Sequence, residues 1–151
     1  MDGDCPIRGT GTERWIIVPR IVAMLPLAGF GGFHMTGMTP LMEILTRASI
    51  PMPGVNYYLA PLIMVIAGLS MGFGFFARAG AVLGIGAMSV ATYSKLVITE
   101  WPGSIEPPIA LPIVVMAACV LILWKGAGAW SMDRRAVERR ASERAAATRP
   151  A

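Results

Sequence analysis

Four residues of this chain have side chains that could hold a ligand between them: His34, Glu43, Tyr93 and Lys95. Imidazole and phenol both donate and accept hydrogen bonds, an ammonium brings charge and donors, and a carboxylate accepts. His34 closes one apolar span, and Tyr93 and Lys95 close another beside Thr92 and Ser94. If those span ends share a depth, the four converge on an outward-facing pocket. A quinone headgroup, a small anion or a carotenoid-like lipid would fit it. The competing reading is local. A lysine near a span end can run its stem back to the interface, which lowers the roughly 2.5–3.5 kcal/mol cost of a charge at mid-membrane. A histidine there can bond a loop carbonyl.

Other chemistries fail on inventory. His34 is the single histidine, so one subunit cannot supply a bis-histidine haem. His34 with Met35 or Met38 could form an axial pair, and Met35, Met38 and Met42 come closest to a soft-metal cluster. The eleven methionines, however, are spread along the whole chain, as residues that fill gaps between helices are, and no metal site is assigned. Ser-His-Asp, Cys-His and paired-carboxylate arrangements are not available, and no phosphate-cradling glycine loop follows a strand. The chain does not read as a stand-alone enzyme. Cys5 lies in a polar arm and Cys119 in mid-span, so no disulfide is expected.

The elements that must position these groups are four apolar spans at about 15–34, 58–76, 79–98 and 107–124. About 20 helical residues cross a hydrocarbon core of roughly 30 Å, and a helix satisfies its own backbone where water is absent. Hydrophobic residues make up 55% of the chain and charged residues 15%, which suits lipid better than water. The expected fold is all-α, an integral membrane four-helix bundle with a short interfacial helix between spans one and two. It divides into an N-terminal arm at 1–14, the bundle at 15–125 and a basic tail at 126–151.

Eleven of the thirteen basic residues fall on one side of the spans; only Arg47 and Lys95 fall on the other. The positive-inside rule then places both termini in the cytoplasm, in a cytoplasmic membrane of bacterial type. The net charge of +4 finds its partner in anionic lipid headgroups beneath the tail, and nucleic acid is not expected because no folded basic module is present.

Local signals fill in the detail. Arg20 is expected to reach back to the headgroups, and Pro26 to kink span one ahead of Gly29, Gly31 and Gly32. Residues 41–48 read as a short helix capped by Thr39 with Pro40 at its first position. In it Glu43 pairs with Arg47, while Met42, Leu45 and Ile50 face lipid. A turn at 77–79 makes spans two and three an antiparallel hairpin, with Gly68 and Gly72 expected to meet Gly80 and Gly84.

The segment Lys125-Gly126-Ala127-Gly128-Ala129-Trp130-Ser131-Met132-Asp133-Arg134 resembles the glycine-rich terminus of DoxX-type membrane proteins. Arg20 at the start of span one and Gly74 to Arg78 at the end of span two agree with that family. The resemblance implies a four-helix bundle associated with redox chemistry, as the membrane subunit of a thiosulfate:quinone oxidoreductase or as the partner of soluble redox proteins. Many relatives carry an acidic residue where this chain has Met64, and often a lysine where it has His34 and Met35. The leading reading is an accessory membrane subunit of a quinone-linked redox assembly, docked on other membrane subunits. The alternatives are a small transporter or lipid- or quinone-binding protein acting as a homo-oligomer, and a purely structural subunit.

Overall fold

A computed structural model describes residues 14–102, 107–126, 128, 131, 132, 139, 142 and 143. The expectations for the arm with Cys5, and for Trp130, Asp133, Arg134, Arg135, Arg140 and Arg144 of the tail, lie outside the described residues. The elements are α1 (Ile17–Met35), α2 (Leu41–Arg47), α3 (Pro53–Phe73), α4 (Ala77–Val97) and α5 (Ala110–Lys125), with no strand among the described residues. Helices α1, α3 and α4 are long and apolar enough to cross a membrane, and α5 is equally apolar but shorter, at 16 residues. The architecture is the all-helical membrane fold expected from the sequence.

Two boundaries differ from the sequence reading for identifiable reasons. Helix α3 begins at Pro53, ahead of 58, because Met52 adopts a left-handed conformation and Pro53 takes the first helical position, where its missing N–H is no loss. Tyr57 and Tyr58 therefore lie inside the helix, stacked edge to face at 4.9 Å. The hairpin turn is at 74–76, not 77–79. Gly74 and Phe76 are left-handed there, and Arg78 belongs to the first turn of α4.

The long helices form an up-down-up-down ring. Going down α1, Gly31 abuts Pro61, Ala28 abuts Gly68 and Met24 abuts Gly72 going along α3, so the pair is antiparallel. Helix α4 packs on α3 and on α5, and α5 closes the ring against α1. Ala23, Leu27, Met71, Met88, Cys119 and Ile122 fill the interior. Large apolar side chains such as Leu25, Leu62, Val82 and Val114 stand exposed along the outer faces, the disposition of a bundle solvated by lipid rather than water.

The glycines are allotted differently from expectation. Gly68 meets the Ala28 backbone on α1, not α4, and a Cβ there would lie 2.8 Å from the Ala28 nitrogen. Gly80 meets Ser70 of α3, and Gly84 faces Cys119, Leu27 and Met71 in the core. In span one Gly31 makes the close approach, while Gly29 and Gly32 have open space before them. Pro26 is accommodated within a continuous α1.

Helix α2 folds as expected in extent but not in orientation. Leu41, Ile44, Leu45 and Ala48 are buried and the helix packs on α3, so Leu45 faces the bundle instead of lipid; Met42 is exposed. Thr39 does not cap it and Pro40 is not its first residue: the helix starts at Leu41 with Pro40 in the N-cap position, and the Thr39 hydroxyl bonds His34 instead.

Candidate functional site

The four residues singled out by type occupy one end of the bundle, on three elements, and His34, Glu43 and Lys95 each engage a partner of their own. His34, in the last turn of α1, shares a 2.7 Å hydrogen bond between its Nδ1 and Thr39 Oγ1. Gly37, left-handed just after α1, turns the chain back so that this bond forms. Glu43 accepts from Arg47 Nη2 at 2.6 Å across one turn of α2, as its spacing suggests. Arg47 Nη1 also donates to the Glu100 carbonyl at 3.0 Å, tying α2 to the segment after α4. Lys95 Nζ stands 3.9 Å over the Trp101 ring, a cation–π contact. Tyr93 is half exposed. The neighbouring hydroxyls of α4 reach carbonyls of their own helix, Ser89 that of Ile85, Thr92 that of Met88 and Ser94 that of Val90, which satisfies them locally; Ser89 also lies 3.7 Å from the Met116 sulfur of α5. The depression at this end is shallow and open, lined by Arg47, Val97, Ile98, Thr99 and Glu100.

The opposite end holds a more enclosed arrangement. Arg20 is 4% exposed, so it does not reach back to headgroups. It lies on the face of α1 that also carries Ala23 and Leu27, both fully buried, at the three- and seven-residue spacing of one helical side. Its Nε donates to the Met71 carbonyl at 2.8 Å and its Nη2 to the Gly72 carbonyl at 2.6 Å. These are carbonyls of the last turn of α3, where helical donors run out and the negative end of the dipole lies; the Met71 carbonyl also accepts from the capping Gly74 amide at 3.2 Å. A guanidinium presents several donors in a fixed plane and suits that task.

Two further pieces complete this junction. Ser70 Oγ donates to the Phe75 carbonyl at 2.5 Å and lies 3.2 Å from that of Phe76, pinning the turn into α4. It can do so because Gly80 has no side chain: a Cβ there would sit 2.8 Å from Ser70 Oγ. After α5 the chain passes through Gly126 and Gly128, both left-handed, and lays Ser131 on the turn. Ser131 is 3% exposed and donates to the Gly128 carbonyl at 3.1 Å. A Cβ on Gly74 would lie 2.6 Å from Ser131 Cβ and 2.8 Å from Arg20 Nη2. Arg20, Gly74 and Ser131, far apart in sequence, thus form one contact.

These are the same three stretches that carry the family resemblance. A family model described as DoxX matches residues 16–100, more than half of the chain. The chain belongs to the DoxX family. No curated protein and no solved structure matches it. The match takes in Arg20, Ser70, Gly74 and all of α1 to α4. Within this DoxX protein Met64 packs on the core, with its Cβ 3.0 Å from where a Gly31 Cβ would be, one turn before His34. The position at which many DoxX relatives carry an acid is therefore apolar here.

Attention to residue type alone passed over the Arg20 junction, because an arginine near a span end has an ordinary surface explanation. The signal that finds it is positional: Arg20 shares its helix face with Ala23 and Leu27.

Proposed function

We propose that this DoxX protein is an accessory membrane subunit of a larger, quinone-linked redox assembly. The observation that supports the reading most is its membership of a family whose members are described in such assemblies. The broad apolar outer faces of the bundle supply a surface on which other membrane subunits can pack. In this reading the protein sits in a bacterial-type cytoplasmic membrane with both termini cytoplasmic, the Arg20 end inward and the His34 end outward. The distribution of Lys and Arg supports that orientation, and Trp15 and Trp124, exposed at the Arg20 end, stand where interfacial aromatics belong. The tail arginines then lie beside anionic headgroups. His34, Glu43, Tyr93 and Lys95 would face the outer side, as the place where a quinone or lipid headgroup approaches.

The test is extraction of the native protein in mild detergent through a tag on the tail. Copurifying subunits are identified by mass spectrometry, and quinone is sought in an organic extract of the same sample. Stoichiometric redox subunits are the expected result. A homo-oligomer without them overturns the accessory-subunit reading and favours a transporter or a lipid- or quinone-binding protein.

A further inference from the structure

We propose that His34 and Tyr57 together bind a lipid-borne carbonyl oxygen at the end of the α1–α3 seam, with His34 Nε2 and the Tyr57 hydroxyl as the two donors. The inference deepens the reading of the His34 end as the place where a headgroup approaches, and it needs no redox partner.

Helix register brings the two side chains together. Gly31 of α1 lies against the Pro61 carbonyl and Met64 of α3. One turn further along α1 is His34, and one turn further in the same direction along the antiparallel α3 is Tyr57. The chain then turns at Gly37, where a Cβ would lie 4.0 Å from the Tyr57 hydroxyl oxygen, and returns to set Thr39 on the His34 ring. His34 and Tyr57 are both partly buried.

The bonds already made decide what the pair can still offer. Thr39 Oγ1 engages His34 Nδ1 at 2.7 Å, which leaves Nε2 as the ring nitrogen open to a ligand. A neutral ring whose Nδ1 accepts from that hydroxyl carries its proton on Nε2. Tyr57 sets its ring edge to face on Tyr58 at 4.9 Å, and no described residue hydrogen-bonds its hydroxyl. Two donors that are neighbours across one seam call for an acceptor oxygen. Depth narrows the class. His34 lies in the last turn of a helix long and apolar enough to span, the level at which hydrocarbon gives way to the interfacial layer. Carbonyl oxygens reach that level on a quinone ring or on a phospholipid ester.

His34 is the single histidine, so nitrogen NMR of the full chain carrying isotope-labelled histidine reads this ring alone. The reference is the chain in nanodiscs of ether-linked phosphatidylcholine, which has no ester carbonyl. Decylubiquinone is titrated into that lipid, and separately the lipid is replaced by its ester-linked counterpart. A saturable movement of the Nε2 signal with decylubiquinone supports the site with a quinone as source. A movement on the change to ester lipid alone supports it with the phospholipid as source. Tyr57→Phe keeps the aromatic ring and removes one donor, and is expected to weaken either response about fivefold, while Tyr58→Phe leaves it unchanged. No movement with either probe in the wild-type chain overturns the proposal without any variant. So does a response that Tyr57→Phe leaves intact or that Tyr58→Phe reduces as much. The chain is alone in the disc, so these outcomes are read apart from whether redox subunits copurify.

Discussion

Arg20 closes a helix to which it does not belong: from α1 its guanidinium donates to the Met71 carbonyl at 2.8 Å, in the final turn of α3. A cation at a helix C-terminus is favourable even when exposed. Here it is buried, and hydrogen bonds from charged groups are worth roughly 1.5–3 kcal/mol each. Arg20→Met is expected to lower stability by about 3 kcal/mol, and Arg20→Lys by about 2 kcal/mol because an ammonium cannot fork to both carbonyls. Thermal unfolding of the purified protein in one detergent measures both. Equal stability of all three chains would show that the end of α3 does not depend on Arg20.

The close approach of α1 to α3 predicts an ordering among glycine variants. Gly68→Ala drives a Cβ into the Ala28 backbone, which cannot move aside, and is expected to cost about 2 kcal/mol through overpacking. Gly72→Ala meets only the side chain of Met24, which can swing away, and is expected to cost less. Gly29→Ala and Gly32→Ala enter open space and should be neutral or stabilise by up to about 1 kcal/mol through helix propensity. The same unfolding assay ranks them, and a reversed order would refute the α1–α3 register.

The hairpin turn rests on one hydroxyl. Ser70→Ala is expected to cost about 1 kcal/mol, whereas Thr92→Val, which loses only a bond within its own helix, should change little. Hydrogen exchange across 70–78 resolves where the loss is felt: it should rise in Ser70→Ala and stay level in Thr92→Val.

Lys95→Met separates an anchor from a ligand group. As an anchor on Trp101, through a cation–π contact worth about 0.5–1 kcal/mol, Lys95 can be lost with copurified partners and extracted quinone unchanged. If the His34 end of the bundle receives a headgroup, the same variant should reduce recovered quinone several-fold at nearly unchanged stability.

Much of the architecture was legible because bilayer thickness and punctuation residues dictate it. Helix α2 was readable from Pro40 and from the Glu43–Arg47 spacing, and the hairpin from a short polar break between apolar runs. The faces of the helices were not. In a helix apolar on all sides the outward and inward stripes look alike, so nothing in the sequence tells that Gly68 meets α1 and not α4; in the short α2, Met42 and Leu45 are equally apolar, and only the packing of α2 on α3 shows that Leu45 is the buried one. Thr39 was read as a cap because capping is its commonest local use; only the return of the chain at Gly37 gives it His34 instead. Among the candidate site residues, the Glu43 pairing followed from helical spacing, while Lys95 over Trp101 depended on a loop path that no local pattern encodes.

The length of α5 bears on the lipid around this protein. Sixteen residues rise about 24 Å, whereas the 21 residues of α3 and of α4 rise about 31 Å. Packed in one ring, they present an uneven apolar height; if α5 crosses with the others, a hydrocarbon layer of roughly 30 Å thins where it meets α5 or flanking side chains reach outward there. That deformation is confined to one flank. A neighbouring helix of matching short length relieves it there and nowhere else, which gives a nearly round bundle a preferred side in the plane of the membrane.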